Sequence, residues 1–220
     1  MKITHVATSL DGGAGIAARR IAEAQHLAGM DVRLIAGNGD QSSLKCYEKI
    51  YSKSSSARIT SKGLTYTQAK IIQKGLPLIT PLAISTKILA TPEINQAEVV
   101  HFHAFYNLTS VTEIGRLSQL KKVVVTLHDQ RFFTGGCHYS FGCEEFRFGC
   151  AKCPQVHQLF NKIPEIHFQQ IQRESSNFKN IQFIAPSKWL ADLAKTSKLL
   201  NNSKILMINN PVPDNFQPQV

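Results

Sequence analysis

Five residue groups in this sequence have types and spacing that could do chemistry. The densest lies in "HDQRFFTGGCHYSFGCEEFRFGCAKCP" (128–154), where Cys137, Cys143, Cys150 and Cys153 are separated by five, six and two residues. Four thiolates satisfy tetrahedral zinc, and the glycines at 142 and 149 permit the tight turns that a C-x-x-C knuckle needs. Such a metal would fold a loop too short of aliphatic residues to fold itself, and a closed four-cysteine site leaves no coordination position for catalysis. Two disulfides and reduced thiols remain the alternatives. Cys46 stands apart in a polar stretch and reads as a free thiol. A second group is the histidines of "HFH", His101 and His103, and a third is the pair His128-Asp129. One strand-end histidine is commonly structural, but two at one sheet edge define a candidate site. Neighbouring strand residues face opposite ways, so Asp129 is not expected to orient His128. The fourth group, Gly12, Gly13 and Gly15, sits where a strand would turn into a helix and would let backbone N–H groups approach a phosphate. It is not a dinucleotide fingerprint, because no G-x-G-x-x-G run is present and no acidic residue closes the second strand, nor a Walker loop, because Lys and Ser/Thr do not follow the glycines. Last, Trp189 reads as a helix-packing aromatic and Ser187 as an N-cap.

The elements that must hold these residues alternate between strand and helix. "KITHVAT", a glycine turn, "AGIAARRIAEAQHLAG" and "DVRLIAG" form a βαβ unit, with Ile16, Ala17, Ile21, Ala24 and Leu27-Ala28 as the expected apolar stripe and Gly29 as the stop. Residues 38–62 read as loop, and 64–89 as weak helical patterning broken at Pro77 and Pro81. Then come "AEVVHFHAF" (strand), "LTSVTEIGRLSQL" (helix), "KKVVVTLHD" (strand), the cysteine loop, "PEIHFQQIQRESSNF" (helix), "NIQFIAP" (strand), "SKWLADLAKTS" (helix) and "KILMINNPV" (strand). The runs Val123 to Leu127 and Ile181 to Ala185 lack alternation, as in strands covered on both faces. The expected architecture is α/β: a doubly wound, mainly parallel sheet with an inserted cysteine-rich loop. Ligands of such sheets bind at the carboxyl ends of strands, where the glycine turn, the pair His101 and His103, the pair His128-Asp129 and Ser187 are all expected to fall.

Composition narrows the function classes. With 220 residues the chain is long enough for one substantial α/β domain. The N-terminus does not read as a signal peptide, and no apolar run reaches the roughly 20 residues that cross a bilayer. The expected compartment is the cytoplasm, with a peripheral place at the inner membrane face as a variant. The net charge of +10 is spread along the chain, with Arg19-Arg20 and Lys121-Lys122 as doublets. That suits a solvated basic surface, an anionic substrate or an anionic membrane surface. No nucleic-acid partner is expected, because the basic residues form no run or reading module.

The combination resembles the N-terminal, Rossmann-like half of a retaining glycosyltransferase of the GT-B fold, family 4, in the cysteine-rich subgroup that makes cell-surface polysaccharides. The residues that carry the resemblance are "DGGAGIAARRIAEAQHLAGMDVRLIAG", "VVHFHAF", "VVVTLHDQRFFTGGCHYSFGCEEFRFGCAKCPQV", "FIAPSKWLADLAKTSKLL" and "INNPVPDNFQP". It implies an acceptor-side domain over 1–209, with 210–220 starting a crossover to a second domain that would grip the nucleotide. The partners it implies are a nucleotide sugar as donor and a glycan or lipid-linked acceptor. Gly12, Gly13 and Gly15 would then lie near the donor phosphates, and His128 beside the transferred sugar. His103, Asn107, Asp129, Phe132, Thr134 and Tyr139 would face the acceptor. No catalytic metal is expected, and transfer would retain anomeric configuration. The chain departs from the subgroup after Asp129, with Arg131 and Phe132 in place of an aromatic and a small residue. The rival reading is a stand-alone, non-catalytic binding module with a zinc-stapled loop; nucleic-acid binding comes third.

Overall fold

The computed structural model describes residues 1–40, 46–52, 54–72, 79–80 and 85–212. Seven parallel strands form one sheet in the order β3-β2-β1-β4-β5-β6-β7. They are β1 (Lys2–Ala7), β2 (Asp31–Ala36), β3 (Tyr47–Ile50), β4 (Val99–Phe102), β5 (Lys122–Thr126), β6 (Ile181–Ala185) and β7 (Ile205–Met207). The helices are α1 (Gly12–Leu27), α2 (Ser55–Thr67), α3 (Pro92–Gln96), α4 (Val111–Leu117), α5 (Lys162–Glu174) and α6 (Lys188–Lys195). This is the doubly wound, Rossmann-like arrangement expected. Strand order runs outward in both directions from β1 and β4, so the crevice between their carboxyl ends is the switch point of the sheet.

The core is rich in phenylalanine. Phe132 packs edge-on to Phe105 and Phe183, at 5.8 and 5.1 Å between ring centres, and lies 5.3 Å from Phe178. Such aromatic pairs add to the burial of their large apolar area. Two caps follow from sequence: Ser187 accepts from the Leu190 N–H, and Ser110 with Glu113 forms a reciprocal capping box at α4.

The described residues between 46 and 62 hold more regular structure than their composition predicts. β3 lies there as a polar edge strand, with Arg33 opposite Tyr47, and α2 starts at Ser55 under a Ser54 cap. An edge strand needs only one apolar face, so Ser- and Lys-rich sequence does not exclude it. Pro77 and Pro81 lie outside the described residues, as do 213–220.

The buried face of α1 also differs from the expected stripe. Gly15, Ala17, Ala18 and Ala22 are buried, while Ile16 and Leu27 are exposed. The helix approaches the sheet through small side chains, and bulk is pushed outward. Gly15 is the tightest point: a Cβ there would lie 2.4 Å from the Ser9 carbonyl oxygen and 2.6 Å from that of Leu10. Both obstacles are backbone, so Gly15→Ala is expected to cost about 3 kcal/mol or more, by analogy with overpacked cores. Chemical denaturation checks it, with Gly13→Ala as the control, since a Cβ at Gly13 meets nothing within 4 Å.

Candidate functional site

The carboxyl ends of β1, β4, β5 and β6 bring together the glycine turn, His103, His128 and Ser187. At β1 the chain turns through Ser9–Asp11 into α1. Gly12 has φ of +79°, a conformation that favours glycine, and the exposed first turn of α1 carries no acidic residue. Asp11 makes no side-chain cap, so the first backbone N–H groups of α1 have no capping partner from it. This turn suits an anion.

Beside it runs a line of histidines. His5 on β1 stands opposite His101 on β4, and His103 follows two residues later on the same face. His5 Nδ1 and His103 Nε2 are 2.9 Å apart, and His103 Nδ1 is 3.2 Å from His128 Nε2. His5 Nε2 meets Gln25 Oε1 at 2.8 Å, and His101 Nε2 meets Thr126 Oγ1 at 2.8 Å. The ring nitrogens of His5, His101 and His103 that could ligate a cation all lie within 4.8 Å of one another. In His5 and His103, however, both ring nitrogens are already engaged in hydrogen bonds.

Burial keeps these imidazoles neutral. It lowers His5 to about 4 against the pull of Gln25, and it holds His101 and His103 well below the ordinary histidine value. His128, only half-buried, is likewise lowered to about 4 by desolvation, with the charge of Asp129 opposing. His128 therefore meets the cleft as a neutral imidazole, able to donate or accept a hydrogen bond. Asp129 does not hold it. Its carboxylate accepts from His138 Nδ1 (2.8 Å) and from the Arg131 N–H (2.9 Å).

The remaining expected acceptor residues divide. Asn107 is half-buried with φ of +64°, just past the end of β4. Tyr139 is exposed, its ring 4.6 Å from Phe141 and 6.0 Å from Trp189. Trp189 is 54% exposed at the start of α6, so it is no packing aromatic; with Tyr139 and Phe141 it makes an exposed aromatic surface. Phe132 and Thr134 lie inside. Phe132 belongs to the aromatic core, and Thr134 Oγ1 accepts from the N–H groups of Gly136 and Cys137. Both shape the loop from within rather than facing the opening. His103, also buried, reaches the cleft only through His128. A cavity of about 10 Å³, room for one water, lies between His103, Tyr106, His128 and Arg131.

Arg131, where the chain departs from the subgroup, is buried. It donates to the Thr80 carbonyl from Nε (3.4 Å) and Nη2 (3.2 Å) and lies over the Phe105 ring at 5.4 Å. Desolvation lowers it to about 10, so it stays charged at neutral pH. Thr80 also meets His138 Nε2 at 3.0 Å and takes its place against the loop through the Gly136 carbonyl. Thus Asp129, His138, Thr80 and Arg131 pin the start of the cysteine loop.

None of the four loop cysteines is joined in a disulfide. Gly142 and Gly149 do take positive φ, at +80° and +130°. The S–H of Cys137 and the N–H groups of Gln155 and Val156 point at the Cys153 sulfur and lower its pKa to about 7, while Cys137 is raised. Cys150 Sγ accepts from the Gly135 N–H at 3.1 Å. Only Cys153 is favoured as a thiolate: burial pushes Cys150 up to about 12 despite the Gly135 N–H and raises Cys143 as well, and no three of the sulfurs lie within 4.8 Å of one another. Cys46 is buried against Ala22 and Val32 rather than in a polar loop.

Sequence reasoning missed His5 and Gln25. His5 acquires meaning only through its register with His101, a relation that one sequence does not display.

The fold and this edge define a Rossmann-like α/β domain with a neutral histidine and an anion-suited helix start at its switch point. Over 128 residues, 52% of its length, the chain is 32% identical to the protein named "Putative colanic acid biosynthesis glycosyl transferase WcaC" of Escherichia coli (strain K12). The matched part is 31% of that relative, so the chain spans about a third of the protein it resembles. No protein-family model matches the chain. Among the described residues no helix is long and apolar enough to cross a membrane.

Proposed function

We propose that this chain is the acceptor-side domain of a retaining GT-B glycosyltransferase that moves a sugar from a nucleotide sugar to a glycan or lipid-linked acceptor in cell-surface polysaccharide synthesis. The observation that carries the reading is the neutral His128 past the carboxyl end of β5, 3.2 Å from His103 at the end of β4, on the sheet edge that also carries the uncrowded start of α1. The distant glycosyltransferase relative supports it.

In this reading Gly12 and Gly13 let the first N–H groups of α1 approach the donor diphosphate, and Gly15 keeps that turn against the sheet. His128 hydrogen-bonds a hydroxyl of the transferred sugar. Sugar rings are amphipathic, with C–H faces that pack on aromatic rings, so Tyr139, Phe141 and Trp189 offer a surface for a glycan acceptor. The nucleotide is gripped by a second α/β domain reached through 210–220, and the 220-residue chain alone is inactive. The protein works in the cytoplasm, and its net positive charge favours the anionic inner face of the membrane, where a lipid-linked acceptor resides. Turnover of nucleotide sugars by the polypeptide that carries both domains tests the reading. A chain that binds glycan yet belongs to no such polypeptide would favour the binding-module alternative.

For the cysteine loop, the proposal is a structural zinc held by Cys137, Cys143, Cys150 and Cys153. Zn–S bonds of about 2.3 Å place sulfurs about 3.8 Å apart, so the loop would close on the ion. The ion would add rigidity to the segment carrying His138 and Tyr139. Cys150→Ser is expected to lower bound zinc from one per chain to well under half, read by native mass spectrometry or atomic absorption. Unchanged metal would refute the four-thiolate site.

A further inference from the structure

Gln25, on the last turn of α1, lies far from the cleft, yet it stands at the head of a chain of three imidazoles that ends at His128. An amide oxygen has no proton to give. His5 must therefore donate its Nε2–H to Gln25 Oε1, at 2.8 Å. A neutral imidazole has one N–H, so His5 Nδ1 is left as an acceptor and takes the Nε2–H of His103 at 2.9 Å. The same rule leaves His103 Nδ1 to accept the Nε2–H of His128 at 3.2 Å. One bond follows from the next, and the last atom in the series, His128 Nδ1, carries a free lone pair.

We propose that Gln25, His5 and His103 are positioning residues that set the tautomer of His128, holding its proton on Nε2 and presenting Nδ1 as a hydrogen-bond acceptor. If the proposed glycosyl transfer holds, that acceptor would receive a sugar hydroxyl proton, and in this respect the inference rests on that reading. The tautomer itself does not.

Burial of the line serves this purpose. His5 is fully buried and His103 is 3% exposed, so water cannot supply alternative partners that would let the rings turn over. Desolvation also keeps each ring neutral, which the argument requires, since an imidazolium donates from both nitrogens. The nearby charges are Asp129, engaged with His138 and the Arg131 N–H, and the Arg131 guanidinium, which donates to the Thr80 carbonyl. His101 sits beside the line with its ring centre 4.1 Å from that of His103, and it is tied separately to Thr126.

The test is a long-range proton–nitrogen NMR spectrum of the histidine-labelled chain at pH 7.5, where the two ring nitrogens of each tautomer have well-separated shifts. In the wild type, His5, His103 and His128 are expected as Nε2–H forms, with His128 favouring it by about tenfold. Gln25→Leu removes the acceptor, so the favoured direction reverses and His128 moves toward Nδ1–H. Gln25→Glu keeps an acceptor and is expected to keep the wild-type pattern. Finding His128 as Nδ1–H in the wild type, or unchanged in a folded Gln25→Leu chain, would overturn the proposal. The wild-type spectrum alone decides the first point, whether or not the variant folds. No sugar donor enters the experiment, so its failure leaves the transferase reading standing, and an inactive protein leaves the relay standing.

Discussion

Replacing His128 with alanine in a polypeptide that carries the proposed second domain is expected to lower kcat at least about 100-fold, within the range for loss of one positioned hydrogen-bonding group in a dry site. The fold should barely notice. His128 is half-buried, and among the described residues its one hydrogen bond is the 3.2 Å contact to His103. Its loss leaves a single ring nitrogen unpaired, at a cost of about 1 kcal/mol. Steady-state kinetics and a melting curve on the same preparation separate the two effects. A fall in stability that matched the fall in rate would mean that His128 is a packing residue and that the site lies elsewhere.

The second large effect is on stability and runs with acid. His5 and His128 are held at about 4, His167 at about 3 with the positive charge of Arg131 adding to burial, and His101 and His103 well below the ordinary value of 6.5. About a unit above pH 6.5 and higher, these rings are neutral both in the folded and in the unfolded chain and contribute no pH dependence. As pH falls below 6.5, the unfolded chain binds protons that the folded chain refuses, so stability is lost progressively down to about pH 4. His5 alone, shifted from 6.5 to about 4, accounts for about 3 kcal/mol at the bottom of that window. Its neighbours reinforce the loss, because a proton on one ring repels the next. Natural domains have about 5–15 kcal/mol in total, so the protein should unfold well before the carboxylates titrate. Glu93, held below the usual carboxylate value by Lys49 despite its burial, adds its loss only at lower pH. Melting temperatures between pH 7.5 and 4.5 give the measurement. A steep fall below pH 6.5 is expected; a flat profile to pH 4.5 would mean that the histidines are not buried together.

Much of the frame is legible in sequence because strands covered on both faces must be apolar runs. That is why β4, β5 and β6 stand out, and why His103 and His128 could be placed near strand ends. β3 escaped, since an edge strand with one partner and a wet face carries no such run. The face of α1 escaped for a different reason. Gly15, Ala18 and Ala22 have little hydrophobicity to read, and what selects them is the distance between helix and sheet. The site was readable only one residue at a time. The sequence offers His5 as a polar interruption of a strand, and only parallel register with β4 turns it into a partner of His101 and His103. Phe132 and Thr134 went the other way: the family resemblance turned them toward an acceptor, but the loop folds back and buries both.

The central claim is that His128 serves sugar transfer at the switch point of this sheet, and the most direct measurement is donor turnover by the protein isolated from its own cells. Its intact mass would be recorded first, and then nucleoside diphosphate release from uridine, guanosine and thymidine diphosphate sugars, with and without a lipid-linked glycan extract. The account predicts a mass well above 24.4 kDa, one donor consumed in the presence of acceptor, and that turnover lost in His128→Ala. A mass near 24.4 kDa, a folded protein well above that mass that consumes none of these donors, or one that consumes a donor equally well with alanine at 128, would contradict it.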